Sequence, residues 1–220
     1  MIDRYLPDGP TDMPTVVFIH GGYWRPEYDR DHARSAAAGL ASAGFPTALV
    51  EYRREPGRPD SMVDDVAAAI RHASSEAPVD NGILLVGHSA GGHLALLAAT
   101  RDDLPVAGVL ALAPLASLTE ADRLDLDDGA VRAFLGSPAP DRPDLDPGAL
   151  PVPGMPVVVM HGEADSLVPV EMSETYANRG DVRLHLLLGI GHFELIDPTH
   201  AVWSGVITEL QGMAAVSGIE

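Results

Sequence analysis

The amino-acid sequence predicts an α/β fold with a mostly parallel central sheet of about 6–7 strands, flanked by helices on both faces. Two observations predict it. Short runs of β-branched and aliphatic residues recur along the chain, and such continuous apolar runs are typical of strands buried on both faces. Alanine-rich segments lie between these runs, and a regular alternation of strands with helices favours parallel strands joined by helical crossovers.

The strands and helices follow from this alternation in chain order. The apolar runs predict strands at residues 15–19, 47–52, 83–86, 106–113, 157–160 and 182–188. The alanine-rich stretches predict helices at residues 29–43, 61–76, 90–100, 169–179 and 198–216. A chain of 220 residues has the usual size of one such domain, so we expect a single domain over residues 1–220.

One segment breaks the alternation. Residues 116–155 are rich in proline and contain one stretch that favours a short helix, at residues 129–135. A long connection without regular structure inside a compact domain is usually a functional loop. We therefore predict a short lid, inserted into the domain at residues 116–155.

Charge and hydropathy exclude several partners. The chain has 14 basic residues, all of them arginine, and 32 acidic residues, which gives a formal charge of -18. Such a charge repels nucleic acids and anionic membranes. The longest apolar run, at residues 106–116, is far shorter than the roughly 20 residues that span a bilayer. The opening MIDRYLPDGP has no basic and apolar leader pattern, so the expected location is the cytoplasm.

Residue types that are missing limit the chemistry. There is no cysteine, which excludes disulfides, thiolate ligands and thiol nucleophiles. The glycine-rich nucleotide-binding motifs and the paired histidines of zinc hydrolases do not occur. We therefore expect no cofactor, no metal and a small-molecule substrate that is attacked by an oxygen or nitrogen nucleophile.

The strongest motif is GHSAG at residues 87–91, which lies between a predicted strand and a predicted helix. In that context a G-x-S-x-G pattern forms a sharp turn that exposes the serine hydroxyl. Gly87, Ala90 and Gly91 supply the small neighbours that such a turn requires. Ser89 is therefore the predicted nucleophile, and the alternative is a glycine-rich turn in which Ser89 only caps the helix.

A serine nucleophile needs a histidine base and a carboxylate that orients the base. Asp165 and His192 each follow a predicted strand, at the edge of the sheet that also holds Ser89. Glu163 and Asp181 are weaker candidates for the acid, because Glu163 lies almost at the strand end and Asp181 precedes its strand, at the wrong edge. Other histidines are expected to have structural roles. His88 and His161 should brace loops, His93 should pack behind the Ser89 turn, and His185 should be packed or face solvent. The histidines expected at the surface of helices are His32, His72 and His200.

The loop HGGYW at residues 20–24 follows the strand at residues 15–19. An acyl-transfer site needs backbone N–H groups that face the oxyanion, from the residue after the nucleophile and from an early strand-to-helix loop. Gly21, Gly22, Tyr23 and Ala90 are the predicted donors, and His20 is expected to brace the loop. Tyr23 and Trp24 are candidate substrate-binding residues, with the alternative that Trp24 fills the core beneath the loop.

HGGYW and GHSAGGHLA together resemble the kynurenine formamidase (arylformamidase) branch of the α/β-hydrolases, near the hormone-sensitive-lipase-like esterases. The resemblance implies an α/β-hydrolase fold and a Ser89, Asp165 and His192 triad. It implies hydrolysis of a formamide on an aromatic amine, as in N-formylkynurenine. The chain departs from the family in one respect: only nineteen residues precede HGGYW, so we expect the first strand of the usual eight to be missing. That would leave an exposed sheet edge on which a homodimer could form.

Two other classes of function are left open by the sequence. A carboxylesterase for small acyl esters is equally compatible with the triad. A non-catalytic α/β-hydrolase-fold binding protein is disfavoured by the intact set of Ser89, Asp165 and His192.

Overall fold

The computed structural model describes residues 1–77 and 82–217. Its strands are β1 (Ile2–Tyr5), β2 (Thr15–Ile19), β3 (Thr47–Val50), β4 (Ile83–His88), β5 (Val106–Leu112), β6 (Val157–Gly162) and β7 (Val182–Leu187). Its α-helices are α1 (Arg34–Ser42), α2 (Pro59–Glu76), α3 (Ala90–Ala99), α4 (Leu118–Arg123), α5 (Ala130–Leu135), α6 (Val170–Ala177) and α7 (Trp203–Ser217).

The seven described strands form one sheet in the order β1-β3-β2-β4-β5-β6-β7. Strand β1 is antiparallel to β3, and all other neighbouring strands are parallel. The predicted fold class is confirmed. The loops after β2, β4, β6 and β7 consequently leave the same edge of the sheet, which brings distant parts of the chain together.

Successive residues of the central strands pack into two different cores. In β2, Val17 and Ile19 belong to the core beneath α2, α3 and α6, whereas Val16 and Phe18 belong to the core beneath α1 and α7. All four side chains are fully buried. Helices on both faces explain why these strands appear in the sequence as continuous apolar runs.

Strand β1 was not among the predicted strands. Its four residues contain Asp3 and Arg4, so it lacks an apolar run. Asp3 is bound by the Arg30 guanidinium at 2.7 Å, and Arg4 pairs with Glu76. Charged side chains are a usual feature of edge strands, and tertiary pairing with β3 forms this strand.

The segment at residues 116–155 contains more regular structure than we predicted. Helix α5 matches the expected short helix, but α4 was missed although the sequence holds its signal. Ser117 caps α4 by accepting the Glu120 N–H at 3.2 Å, which is the serine-to-glutamate spacing of a capping box. Leu118 and Phe134 are buried, so the segment packs on the domain, and its role as a lid stays a prediction.

The last helix is shorter than expected at its start. It was predicted from residue 198, but it begins at Trp203 because the Asp197 carboxylate accepts the Thr199 N–H at 2.9 Å and holds a turn there. Asp and Asn side chains commonly divert the backbone in this way. Among the described residues, no helix combines the length and the apolarity that crossing a bilayer requires.

We expect Gly91→Ala to lower the free energy of unfolding by about 3 kcal/mol or more, because overpacking against backbone cannot be relieved by a rotamer change. A Cβ at Gly91 would lie 2.0 Å from the Ile19 carbonyl oxygen, which would push α3 away from β2. Urea unfolding measures the change.

Gly212→Ala is the matched control. Gly212 lies in α7 with nothing within 4 Å of an added Cβ. Alanine there should raise the free energy of unfolding by about 0.5–1 kcal/mol, since glycine costs a helix interior that amount. Equal effects of the two substitutions would contradict the packing argument.

Candidate active site

Ser89 lies in the sharp turn between β4 and α3. Its backbone has φ 57° and ψ -120°, a conformation that a residue with a side chain rarely adopts. The turn is held by hydrogen bonds to the Ser89 carbonyl oxygen from the N–H groups of His93 at 3.1 Å and Leu115 at 3.3 Å. A Cβ at Gly87 would lie 2.2 Å from the Gly91 carbonyl oxygen, so only glycine fits there.

Asp165 and His192 are in contact at the same edge of the sheet. The Nδ1 atom of His192 lies 2.6 Å from Oδ2 of Asp165. The other carboxylate oxygen accepts the N–H groups of Leu167 at 2.8 Å and Val168 at 2.9 Å. An ionised Asp165 therefore accepts a proton-bearing Nδ1, which leaves Nε2 of His192 with the lone pair that a general base needs.

The Asp165 side chain is fully buried and yet ionised. Burial acts to raise the pKa of this carboxyl, but hydrogen bonds from His161 and His192 outweigh burial and hold the pKa well below its ordinary value. Glu163 and Asp181, the alternative acids, are exposed. The structure thus brings Asp165, and neither alternative, to His192.

His161 is a second partner of Asp165 that the sequence reasoning assigned only to loop bracing. Its Nε2 atom lies 3.2 Å from Oδ2 of Asp165 and 3.1 Å from the Val168 carbonyl oxygen. Its Nδ1 atom lies 2.7 Å from the Ser173 hydroxyl. Two oxygen acceptors at Nε2 assign the proton to that atom, so Ser173 donates to Nδ1. The H-x-x-x-D spacing at the end of a strand was the available signal.

His88 supports the loop that carries His192. Its Nε2 atom lies 3.0 Å from the His192 carbonyl oxygen, and the two imidazole rings are 4.5 Å apart. Burial, followed by the nearby His192, lowers the pKa of His88 well below its usual value. A neutral His88 therefore donates its Nε2–H to the backbone of His192, which agrees with the expected bracing role.

The loop after β2 approaches the nucleophile closely. A Cβ at Gly21 would lie 2.9 Å from Cβ of Ser89. The Arg25 N–H donates to the Gly22 carbonyl oxygen at 2.9 Å, and between them Tyr23 and Trp24 have φ values of 47° and 58°. These are the signs of a type I′ turn, which usually takes Gly, Asn or Asp at both positions.

Backbone amides in this loop and at the start of α3 are not used in hydrogen bonds of the described structure. Within the described residues, the N–H groups of Gly22, Tyr23 and Ala90 have no hydrogen-bond acceptor. Unpaired backbone donors beside a nucleophile are what an oxyanion site requires. The structure therefore leaves the predicted donors available, and their catalytic role stays a prediction.

His20 fixes the direction of one peptide in the loop. Its Nδ1 atom lies 2.7 Å from the Gly21 carbonyl oxygen. The ring stacks on Tyr52 with centroids 4.4 Å apart, and the Tyr52 hydroxyl donates to the His20 carbonyl oxygen at 2.8 Å. A trans peptide points its C=O and N–H in opposite directions, so a pinned Gly21 carbonyl also orients the Gly22 N–H.

The two aromatic residues of the loop have different environments. The Tyr23 hydroxyl donates to the Leu167 carbonyl oxygen at 2.7 Å; burial, with Asp127 and Asp165 nearby, raises the pKa of Tyr23 to about 12. Trp24 is 3% exposed and stacks on Phe134 at 4.7 Å. Trp24 thus packs in the core beneath the loop, which was the alternative to substrate binding. Tyr23 is the more accessible of the two rings.

Phe193 is an exposed aromatic side chain that the sequence reasoning did not select. It is 57% exposed, and its ring lies 5.1 Å from that of His192. Leu167, which accepts the Tyr23 hydroxyl, is 39% exposed. The site therefore has exposed apolar side chains next to His192 and two residues after Asp165. Its sequence signal was the position of Phe193 directly after the predicted base.

A separate cavity of about 610 Å³ lies between α4 and α6. Its floor includes Ala116, Met172 and Tyr176, and no member of the triad lines it. Ala116 follows Leu115, whose N–H bonds to Ser89. The cavity therefore lies next to the candidate active site.

Known proteins share this fold and parts of this sequence. A protein-family model described as BD-FAE matches residues 2–108. Kynurenine formamidase of Danio rerio is 34% identical over 103 residues, which cover 46% of this chain and 35% of the zebrafish protein. Esterase LipC of Mycobacterium tuberculosis is 28% identical over 226 residues, which cover 86% of this chain and 56% of LipC. The chain thus spans about a third to a half of these relatives.

Solved esterase structures agree in fold. Acetyl ester-xyloside bifunctional hydrolase from Caldicellulosiruptor lactoaceticus has a TM-score of 0.79 at 24% identity, covering 100% of this chain and 89% of that chain. Esterase B from Lactobacillus rhamnosis has a TM-score of 0.78 at 24% identity, covering 96% of this chain and 78% of that chain.

This is the α/β-hydrolase fold, with a strained serine turn between β4 and α3. In sequence the chain is similar to kynurenine formamidase of Danio rerio and to esterase LipC of Mycobacterium tuberculosis. The resemblance carried by HGGYW and GHSAGGHLA is confirmed.

We expect Asp165→Asn to lower the free energy of unfolding at pH 7 by about 2 kcal/mol, because buried donors lose a charged acceptor. The folded-state pKa of Asp165 lies below its ordinary value, so this contribution is present above the unfolded-state pKa of about 3.9 and is lost as pH falls through the folded-state pKa. Urea unfolding of wild type and variant, from pH 7 to below the unfolded-state pKa of about 3.9, measures the difference.

Asp181→Asn is the control for this experiment, since Asp181 is exposed. It should change the free energy of unfolding by less than about 0.5 kcal/mol, both at neutral and at acidic pH. A gap between wild type and Asp165→Asn that stays constant from neutral to acidic pH would contradict the linkage.

Proposed function

We propose that this α/β-hydrolase is a serine hydrolase that cleaves a small acyl amide or ester through an acyl-enzyme. The observation that carries the proposal is the 2.6 Å contact between His192 Nδ1 and Asp165, at the sheet edge that also holds the strained Ser89. The three residues lie in separate loops, after β4, β6 and β7, which leave the same edge of the sheet. A serine, a histidine and a carboxylate placed together at such an edge are the set that activates a serine hydroxyl.

The first half of the reaction forms the acyl-enzyme. Ser89 Oγ attacks the acyl carbonyl while Nε2 of His192 takes the hydroxyl proton. Asp165 keeps the proton of His192 on Nδ1 and stabilises the imidazolium. His192 then gives its Nε2 proton to the leaving amine or alcohol as the bond from acyl carbon to nitrogen or oxygen breaks.

The second half releases the acyl group. Water attacks the ester of Ser89, His192 takes a proton from that water, and the proton returns to Ser89 as the carboxylic acid leaves. In both halves the N–H groups of Gly22, Tyr23 and Ala90 are the proposed donors to the oxyanion. Each such donor contributes about 3–4 kcal/mol to lowering the barrier.

An arylformamide such as N-formylkynurenine is the first proposed substrate. The support is the similarity to kynurenine formamidase of Danio rerio over 46% of the chain. The exposed Phe193 ring beside His192 and the partly exposed Tyr23 are compatible with an aromatic leaving group.

A small-acyl carboxylesterase is the alternative, and a specific observation favours it. The match to esterase LipC extends over 86% of the chain, far beyond the segment shared with the formamidase. An ester and a formamide need the same triad, so the preference depends on how the site holds the leaving group.

The proposal also covers the substrate class, the cellular location and the binding partners of the protein. We propose a small-molecule substrate and a cytoplasmic location. We also propose that neither nucleic acid nor an anionic membrane is a partner, because the formal charge of -18 repels polyanions. A homodimer stays a prediction. The sheet edge on which it was expected is formed by β1, where Asp3 and Arg4 make intramolecular ion pairs.

Ser89→Ala should lower kcat by several orders of magnitude, because removal of a triad nucleophile costs about 10⁶-fold in the best-studied case. Hydrolysis of p-nitrophenyl acetate and of N-formylkynurenine by purified protein measures this. Activity that survives in the variant would refute the scheme.

The ratio of kcat/KM for N-formylkynurenine to that for p-nitrophenyl acetate should exceed one if the site is built for arylformamides, since the activated ester is intrinsically easier to cleave. The Ser89→Ala variant serves as the blank. A ratio far below one would favour the carboxylesterase.

A further inference from the structure

The turn at Tyr23 and Trp24 is held under strain. Both residues have φ in the left-handed region, 47° and 58°, where a side chain is unfavourable. Such residues persist only where their surroundings fix them, and they occur most often at functional sites. The contacts that hold this turn are therefore expected to control the position of the Gly22 and Tyr23 amides.

Three consecutive side chains of the turn bind three different parts of the protein. Tyr23 donates to the carbonyl oxygen of Leu167, two residues after Asp165. Trp24 stacks on Phe134 of α5. Arg25 closes the turn through its N–H and extends its guanidinium to the loop between α4 and α5.

Arg25 makes several contacts in that loop. Its Nε donates to the Asp127 carboxylate, and one terminal nitrogen donates to the carbonyl oxygens of Asp127 and Asp128. Hydrogen bonding to Asp127 raises the pKa of Arg25 above its ordinary value. A planar guanidinium that contacts a carboxylate and backbone together fixes direction as well as distance.

The partner loop is also in an unusual conformation. Asp125, Asp127 and Asp128 have φ values of 52°, 49° and 49°. Two strained turns, one beside Ser89 and one in the segment at residues 116–155, are thus joined by one arginine. Arg25 and Asp127 are 29% and 34% exposed, so the pair adds little to global stability.

We propose that Arg25, held by Asp127, is a positioning residue for the oxyanion site. In this inference, which rests on the proposed function, the segment at residues 116–155 braces the turn at residues 22–25 in its strained form. Without the brace the turn relaxes, the Gly22 and Tyr23 amides move away from the oxyanion, and the transition state loses stabilisation that the bound substrate never had.

The test measures kcat and KM for p-nitrophenyl acetate in Arg25→Ala, Asp127→Ala and the double variant. A fluorophosphonate first titrates the active fraction: Ser89 Oγ bonds to phosphorus, fluoride leaves, and His192 takes the hydroxyl proton. Thermal unfolding is followed in parallel. A small acyl ester is used because it has little bulk to contact the segment at residues 116–155 directly.

Arg142→Ala is the matched control. Arg142 also belongs to the segment at residues 116–155, is 26% exposed and binds Asp60 of α2 at 2.6 Å. Its loss removes a comparable surface ion pair between this segment and the domain without touching the turn at residues 22–25.

We expect Arg25→Ala to lower kcat per active site by about 10-fold with KM changed less than about 2-fold, since small displacements of catalytic groups are costly. Asp127→Ala should do the same, and the double variant should lose no more than either single variant, as one shared contact requires. Arg25→Lys should recover part of kcat, and Arg142→Ala should retain wild-type kcat.

Three results would overturn the brace: equal kcat in Arg25→Ala and Arg142→Ala, a change confined to KM, or losses that multiply in the double variant. Failure of the proposed function looks different, because wild-type protein would then not be labelled at Ser89, and that result overturns both proposals.

Discussion

The close approach of helix α3 to strand β2 at Gly91 is the constraint on which the candidate site depends. The Ile19 carbonyl oxygen occupies the space that any side chain at Gly91 would need. This contact fixes where α3 begins, forces Ser89 into its unfavourable backbone conformation, and places the loop after β2 against the nucleophile. The contact between these two backbone segments thereby determines the position of Ser89 and of the amides that are proposed to bind the oxyanion. The cost of the strained turn is offset by burial on both faces of the sheet.

Around this contact, buried imidazoles hold the parts that would react. His161 shares Asp165 with His192, His88 holds the His192 backbone, and His20 holds the Gly21 carbonyl. Each ring is almost completely buried, and each has a protein partner for at least one nitrogen. The neutral His88 satisfies a buried carbonyl oxygen without adding a charge to the interior.

The segment at residues 116–155 contains more regular structure than its proline content indicated, and its role as a lid stays a prediction. Its two short helices pack on the domain, and Phe134 supplies the surface on which Trp24 rests. Trp24, a candidate substrate-binding residue in the sequence, therefore supports the loop, whereas Phe193 near the triad is exposed and Tyr23 is partly exposed. Selectivity between formamide and ester substrates would then depend on the rim of the site, and the shared interior would supply the chemistry.

Local rules were enough to determine the alternation of strands and helices, the Ser89 turn and the choice of Asp165 and His192 over their neighbours. Each of these has a signal within a short stretch of sequence: an apolar run, a glycine-serine motif, or a residue placed just after a strand. The capping box of α4 was equally local and was overlooked. Tertiary structure alone decided strand β1, the burial of Trp24 and the Arg25 contact to Asp127. These features depend on how distant segments of the chain pack together. Arg25 and Asp127 are 102 positions apart, so no local sequence pattern predicts their contact.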